Sequence, residues 1–223
     1  MKRQLSLLII LVAVLAAVGL APQVQAAPLG APTQFLSPLK PGHYSFKYKG
    51  LTANAYFGEN LDECTFRDVY VFAGQNIAKS GPGKPSSSQS VNVGVYEYNY
   101  CTGEMLKAAF GYAPLNGNGF QMDKKLNGAH VTAAVPATDE VSGASFTLNV
   151  DLAWTGVGEV FKNRSQYQYQ SKGCRYSSRF SGSYRQATAA GVINDGSVNY
   201  ANSLAFGDLQ SANSGEMTVG CGL

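Results

Sequence analysis

FTLNVDLAW, running from Phe146 to Trp154, decides the fold class. Phe146, Leu148, Val150, Leu152 and Trp154 fall on one side of an extended chain, and Thr147, Asn149, Asp151 and Ala153 on the other. A helix would scatter these residues around its axis, whereas a strand puts every second side chain on the same face. The stretch is therefore a half-buried strand. The same period of two returns where Tyr44, Phe46 and Tyr48 alternate with Ser45, Lys47 and Lys49, in Val69–Phe72, and in VNVGVYEYNY from Val91 to Tyr100. Further strands are expected near 129–135, 187–193, 203–209 and 216–221.

Turn dipeptides separate these runs: Asn116-Gly117, Asn127-Gly128, Ser142-Gly143, Asp195-Gly196 and Ser214-Gly215. The one stretch with helical character, Glu104 to Phe110, is long enough for two turns and stops at Gly111. About a dozen short strands at this spacing predict an all-β domain, an antiparallel β-sandwich of jelly-roll or immunoglobulin type, with a barrel as the alternative. The sandwich is preferred because each strand has one apolar and one polar face. KSGPGKPSSSQS, residues 79–90, has no apolar side chain and is expected to be a long mobile connection.

The start of the chain sets the compartment. Lys2 and Arg3 precede an uncharged apolar run from Leu5 to Ala21, and Val24-Gln25-Ala26-Ala27 supplies small residues for cleavage. This is the pattern of a secretory signal peptide, residues 1–26. The run is short for a span, which usually takes about 20 apolar residues, and no second apolar segment follows. Residues 27–42, with four prolines, form an extended leader, and 43–223 a single domain. Cleavage leaves 197 residues with fifteen Lys and Arg against fourteen acids, a net charge near +1. A secreted or periplasmic protein of that size buries enough surface to fold without a metal.

Four cysteines remain: Cys64, Cys101, Cys174 and Cys221. An even count in an exported chain predicts two disulfides. Three connectivities are open. Cys64–Cys101 with Cys174–Cys221 is favoured, because each pair closes a moderate loop within one half of the chain. No C-x-x-C spacing supports zinc or redox chemistry.

The cations are unevenly placed. KNRSQYQYQSKGCRYSSRFSGSYR, Lys162 to Arg185, contains six cations, five aromatics and no acid. On two strands, Tyr176, Phe180 and Tyr184 share one face with Cys174, while Arg175, Arg179 and Arg185 share the other. In the preceding strand Tyr167 and Tyr169 oppose Gln166, Gln168 and Gln170, with Lys162 and Arg164 on the glutamine side. With the aromatics turned to the core, Lys162, Arg164, Arg175, Arg179 and Arg185 become an outward basic surface. Such a surface suits carboxylate or phosphate groups of a polymer, or serves as a solvated face that discourages edge pairing. Tyr96, Tyr98 and Tyr100 share the face opposite Val91, Val93 and Val95 and are the candidate platform for stacking sugar rings, or a cross-strand ladder.

Catalytic signals are absent from the sequence. His43 and His130 lie in no metal or triad motif. No G-x-S-x-G, H-E-x-x-H, phosphate-binding loop or dinucleotide fingerprint occurs. Asp62-Glu63 and Asp139-Glu140 are turn acids. Glu59, Asn60, Asp62 and Glu63 match no calcium loop. No cofactor and no metal are expected.

YNYCTGEML (Tyr98–Leu106) and the segment from Val150 to Gly196, with their C-T-G, L-x-W-T-G and R-x-A-x-A-x-G patterns, resemble a group of uncharacterised bacterial exported proteins. The resemblance implies a secreted bacterial β protein and brings with it no activity, cofactor or functional residue. The expectation is thus a non-catalytic exported domain binding a carbohydrate or anionic surface polymer. A polysaccharide hydrolase or lyase and a structural surface component are the rivals. Nucleic acid is the least expected partner.

Overall fold

A computed structural model describes residues 42–171, 173–202 and 205–221. The expected signal peptide, and all but the last residue of the leader, lie outside the described residues. Among those described every regular element is a strand: β1 (Gly42–Asn60), β2 (Thr65–Ser80), β3 (Ser86–Asn99), β4 (Glu104–Leu115), β5 (Phe120–Met122), β6 (Gly128–Asp139), β7 (Ser145–Ser171), β8 (Cys174–Asn194) and β9 (Ala205–Cys221). No helix among them is long and apolar enough to cross a membrane.

The sheet order is β4-β3-β2-β1-β9-β8-β7-β6-β5, antiparallel throughout, and β4 also pairs with β6. The ladder therefore returns on itself as an eight-stranded ring, with β5 pairing with Ala129–Val131 near the start of the same β6 edge. This is an all-β antiparallel fold of the predicted sandwich or barrel-like class. The Gln89 side-chain amide bridges the seam, donating to the Phe120 carbonyl at 3.2 Å and accepting from its N–H at 3.4 Å.

The ring interior is filled by the predicted alternating residues. Val69, Val71, Val91, Val93, Val95, Leu148, Val150, Leu152 and Trp154 are buried, with Ala53, Ala55, Ala187 and Ala189 as their small counterparts. The alanines leave room for Trp154, whose indole N–H reaches across from β7 to the Asn54 carbonyl of β1 at 2.8 Å. A buried indole needs such a partner.

Several expectations change. The strands are fewer and longer than a dozen. Ser214-Gly215 is not a turn but lies within β9, where β9 carries an extra residue against β1. Glu104–Phe110 belongs to β4, because pairing with β3 overrides its local helix propensity. The 79–90 segment shrinks to a short turn: Ser86, Ser87, Ser88 and Gln89 pair with Ala78, Ile77, Asn76 and Gln75. Ladder hydrogen bonds are made by backbone, so an all-polar stretch pairs wherever its neighbour is extended.

Both favoured disulfides are present. Cys64–Cys101 joins the turns after β1 and β3, and Cys174–Cys221 joins β8 to β9 at the opposite end.

Candidate functional site

β6 stops pairing with β7 at Thr155. β7, β8, β9, β1 and β2 continue past that point, so part of the sheet projects beyond the closed ring. β7 shows what this does: from Thr155 onward it is exposed on both faces, apart from half-buried Gly156. Among the described residues, no second layer covers either face of the extension.

Which side of the extension is which follows from β1. Its pairing with β2 is continuous, so the buried series Ala53, Ala55 and Phe57 counts back by twos through Leu51 to Lys49, Lys47, Ser45 and His43. The register then carries the same side outward: Lys47 opposes Lys79 on β2 and Glu216 on β9, Glu216 opposes Arg179 on β8, and Arg179 opposes Gln166 on β7. Arg175 opposes Gln170, Arg164 opposes Ser181, and Lys162 opposes Ser183. The cations thus lie on the side continuous with the ring interior. The aromatics Tyr44, Phe46, Tyr48, Tyr176, Tyr167 and Tyr169 lie on the side continuous with the outer surface. This reverses the expected sidedness. Beyond the ring there is no core for aromatics to enter, and Tyr167 and Tyr169 are 63% and 46% exposed.

The separation of the two chemistries is as the alternation predicts, and the structure enlarges it. His43, Lys47, Lys49 and Lys79 join Lys162, Arg164, Arg175 and Arg179 on the basic side. The sequence carried this signal in the Ser45, Lys47, Lys49 alternation, but not the adjacency of β1 to β8 through β9. Among the described residues one acid interrupts the surface: Glu216, 3.1 Å from Lys47 Nζ. A shallow depression near the tip is lined by His43, Gln168, Arg175, Ser177, Thr218 and Gly220, and Arg175 donates to Gln168 Oε1 at 3.3 Å. A second depression, at the junction with the ring, is lined by Lys49, Gln75, Ser211, Asn213 and Lys124 among others, with no acid.

Arg185 stands apart. It is on the same side but at the ring mouth, where its guanidinium donates to the carbonyls of Gly158 (3.0 Å) and Leu126 (3.3 Å) and to Asn127 Oδ1 (2.7 Å). Leu126 is fully buried and closes the mouth. Arg185 is a clamp on that closure and does not point along the basic surface.

The outer side carries an aromatic band. Phe110, Gly94, Tyr70, Tyr56 and Phe206 occupy one row across β4, β3, β2, β1 and β9. Tyr70 lies flat over Gly94, where a Cβ would stand 2.1 Å from its ring, and stacks on Tyr96 at 5.9 Å. Tyr48 covers Gly215 in the same way. Phe206 is 82% exposed. Of the three tyrosines singled out on β3, Tyr96 is half-buried in the stack and Tyr98 is exposed in the next row beside Phe66. Tyr100 sits in the following turn with its hydroxyl donating to the Glu63 carbonyl. Two carboxylates are set among these rings. Burial holds Asp208 above the usual carboxylate range against hydrogen bonds from Gln210 and Asn54, and burial likewise raises Asp68. Burial, with the charges of Asp208 and Asp68, raises the Tyr56 hydroxyl.

The far end of the ring holds a polar network that no motif announced. Arg67 is buried between Glu97 and Glu59 and lies over the Tyr200 ring, its Cζ 5.0 Å from the centroid. The Lys107 ammonium donates to Tyr200 Oη at 2.7 Å, and Tyr200 donates to Asp195. Burial works to raise the Asp195 carboxyl, but the bonds from Tyr200, Val198 and Ser197 together hold it well below the usual range. Arg67 is ion-paired with both glutamates, and Lys107 and Asp195 are joined through the Tyr200 hydroxyl, as a structural plug requires. His130 bonds Asp151 at 2.7 Å on the exposed face of β6 and β7. Asp62 and Asp139 accept backbone N–H groups in their turns. No group of three or more metal-ligating side chains occurs among the described residues.

No family model, curated protein or solved structure matches the chain.

Proposed function

We propose that the protein is exported and binds an acidic polysaccharide, or another anionic surface polymer, along the basic side of its sheet extension. One observation carries this: among the described residues Lys47, Lys49, Lys79, Lys162, Arg164, Arg175 and Arg179 share a side with one acid, Glu216. Residues two apart on a strand are about 6.6 Å apart and neighbouring strands about 4.8 Å. The cations therefore form a two-dimensional array suited to repeated charges along a chain, and not a pocket for one small anion. Glutamine and serine between them supply neutral hydrogen-bond partners for hydroxyl groups. Two disulfides fit an oxidising compartment.

A second reading, stacking of neutral sugar rings, is supported by the outer band of Tyr56, Tyr70, Phe110 and Phe206. Retention of the oxidised chain on acidic and neutral polysaccharides at rising salt separates the two. The first predicts retention on acidic polymer that salt abolishes and that Arg175→Ser with Arg179→Ser weakens. Salt-resistant retention on neutral glycan would transfer the site to the aromatic band. Release of reducing or unsaturated ends from either polymer would point instead to a hydrolase or lyase.

A further inference from the structure

β7 has a second property that ligand binding does not use. From Phe161 to Ser171 it pairs with β8 on one edge, and no described strand pairs with the other. That open edge is eleven residues long, about 36 Å. Exposed edges are ordinarily short, bulged, or broken by proline or lysine, because unpaired N–H and C=O groups recruit another strand. This edge has no proline, its one irregularity against β8 lies before Phe161, and its cations, Lys162 and Arg164, are confined to one end. Its centre, QYQYQ, is uncharged and rich in strand formers.

We propose that two copies of the chain pair antiparallel through this edge, β7 to β7, about a two-fold axis at Gln166. That register pairs the whole of Phe161–Ser171 with itself, and the sequence around the axis permits it. With Gln166 opposite its own copy, Arg164 faces Gln168, Lys162 faces Gln170, Tyr167 faces Ser165 and Phe161 faces Ser171. No cation opposes a cation. Parallel in-register pairing would set Arg164 on Arg164 and Lys162 on Lys162, and like charges directly opposite destabilise a sheet. The residues just before β1 are poor alternative occupants: prolines at 28, 32, 38 and 41 deny them a continuous row of donors. The pairing is isologous, so it closes as a dimer and consumes the edge. It also keeps paired residues on the same side of the joined sheet, so the basic surfaces of two copies become one. The dimer does not depend on what that surface binds.

Sedimentation equilibrium of the oxidised chain tests this. A reversible dimer is expected. Gln168→Glu with Gln170→Glu places carboxylates opposite Arg164 and Lys162 four times per dimer and tightens it roughly tenfold. Gln168→Lys with Gln170→Lys loosens it by a similar factor. These side chains are solvent-exposed, so folding is unaffected, and an unchanged circular dichroism spectrum verifies that. Gln166→Cys, on the axis, cross-links the dimer under oxidised glutathione. A monomer at every concentration overturns the proposal. So do open-ended filaments, a dimer that the glutamate variant weakens, or a Gln166→Cys chain that does not cross-link.

Discussion

Arg67 and Glu97 form a buried ion pair at the closed end of the ring, Nη2 and Nε lying 2.8 and 2.9 Å from one carboxylate oxygen. The pair spans β2 and β3 in direct register and is roofed by Tyr200. Removing one partner strands the other in a site with little water. Arg67→Met should lower stability by about 3 kcal/mol or more, and Arg67→Met with Glu97→Gln should recover part of the loss. Urea unfolding of both variants measures this. A single variant that unfolds like the parent would mean the site is wetter than its burial indicates.

Arg185 should behave unlike the other cations of its segment. Two of its three hydrogen bonds hold the turn that carries Leu126 into the ring mouth, and the third goes to Gly158 of β7. Arg185→Ala removes the donor from two partly exposed carbonyls and should cost about 1 kcal/mol. Amide exchange in residues 123–127 should accelerate with it. Retention on an acidic polymer should stay near that of the parent, while Arg175→Ser with Arg179→Ser should lose retention and keep stability. Equal loss of retention from Arg185→Ala would place it back on the binding surface.

The contrast between Arg185 and Arg179 shows what sequence can carry. Both sit at odd positions of one strand, and alternation alone puts them on one side; so far the period of two is sufficient. What differs is what lies within reach: Arg179 opposes Glu216 on the open extension, whereas Arg185 bonds the β5–β6 turn, and that depends on where β6 stops pairing with β7. The same boundary sent the tyrosines outward, since a strand alternates identically whether or not a core lies beneath it. The disulfides were legible because loop closure favours near cysteines. The Arg67 network was not, because Arg67, Lys107 and Tyr200 meet only after the ring closes.

Gly94 should tolerate no side chain. A Cβ there would lie 2.1 Å from the Tyr70 ring, so Gly94→Ala must lift the ring from β3 and break its stack on Tyr96. The expected cost is about 1–3 kcal/mol, as for other overpacked sites. Gly94→Ala with Tyr70→Ala should cost less than the sum of the two. If neutral glycan binds, Gly94→Ala should weaken it and leave acidic polymer untouched. Additive losses in thermal unfolding would show that the ring moves aside freely.

The two disulfides should contribute differently although their loops are similar, 37 and 47 residues apart in sequence. Chain entropy alone assigns each about 4 kcal/mol. Cys64–Cys101 ties turns flanking the closed ring, so Cys64→Ser with Cys101→Ser should cost most of that. Cys174–Cys221 ties the tip of an extension without a core, which can open locally while the ring stays folded. Cys174→Ser with Cys221→Ser should therefore lower global stability less and speed amide exchange in β8 and β9 near the tip. Equal global losses would show that extension and ring unfold as one unit.

Asp208 should set a pH dependence on the outer side. Burial raises its carboxyl above the ordinary range, so the folded chain holds that proton more tightly than the unfolded chain. Stability from this group is full below the unfolded value near 4 and declines as pH rises through the higher folded value. At neutral pH the buried charge is a net burden, partly offset by Asn54 and Gln210, whose amides donate to its oxygen at 2.9 and 2.8 Å. Asp208→Asn keeps an oxygen for both donors and removes the charge. The variant should therefore melt higher than the parent at pH 7, with the gap closing as pH falls below 4. A variant that melts lower at pH 7 would mean that the ionised carboxylate earns more from those bonds than burial costs it.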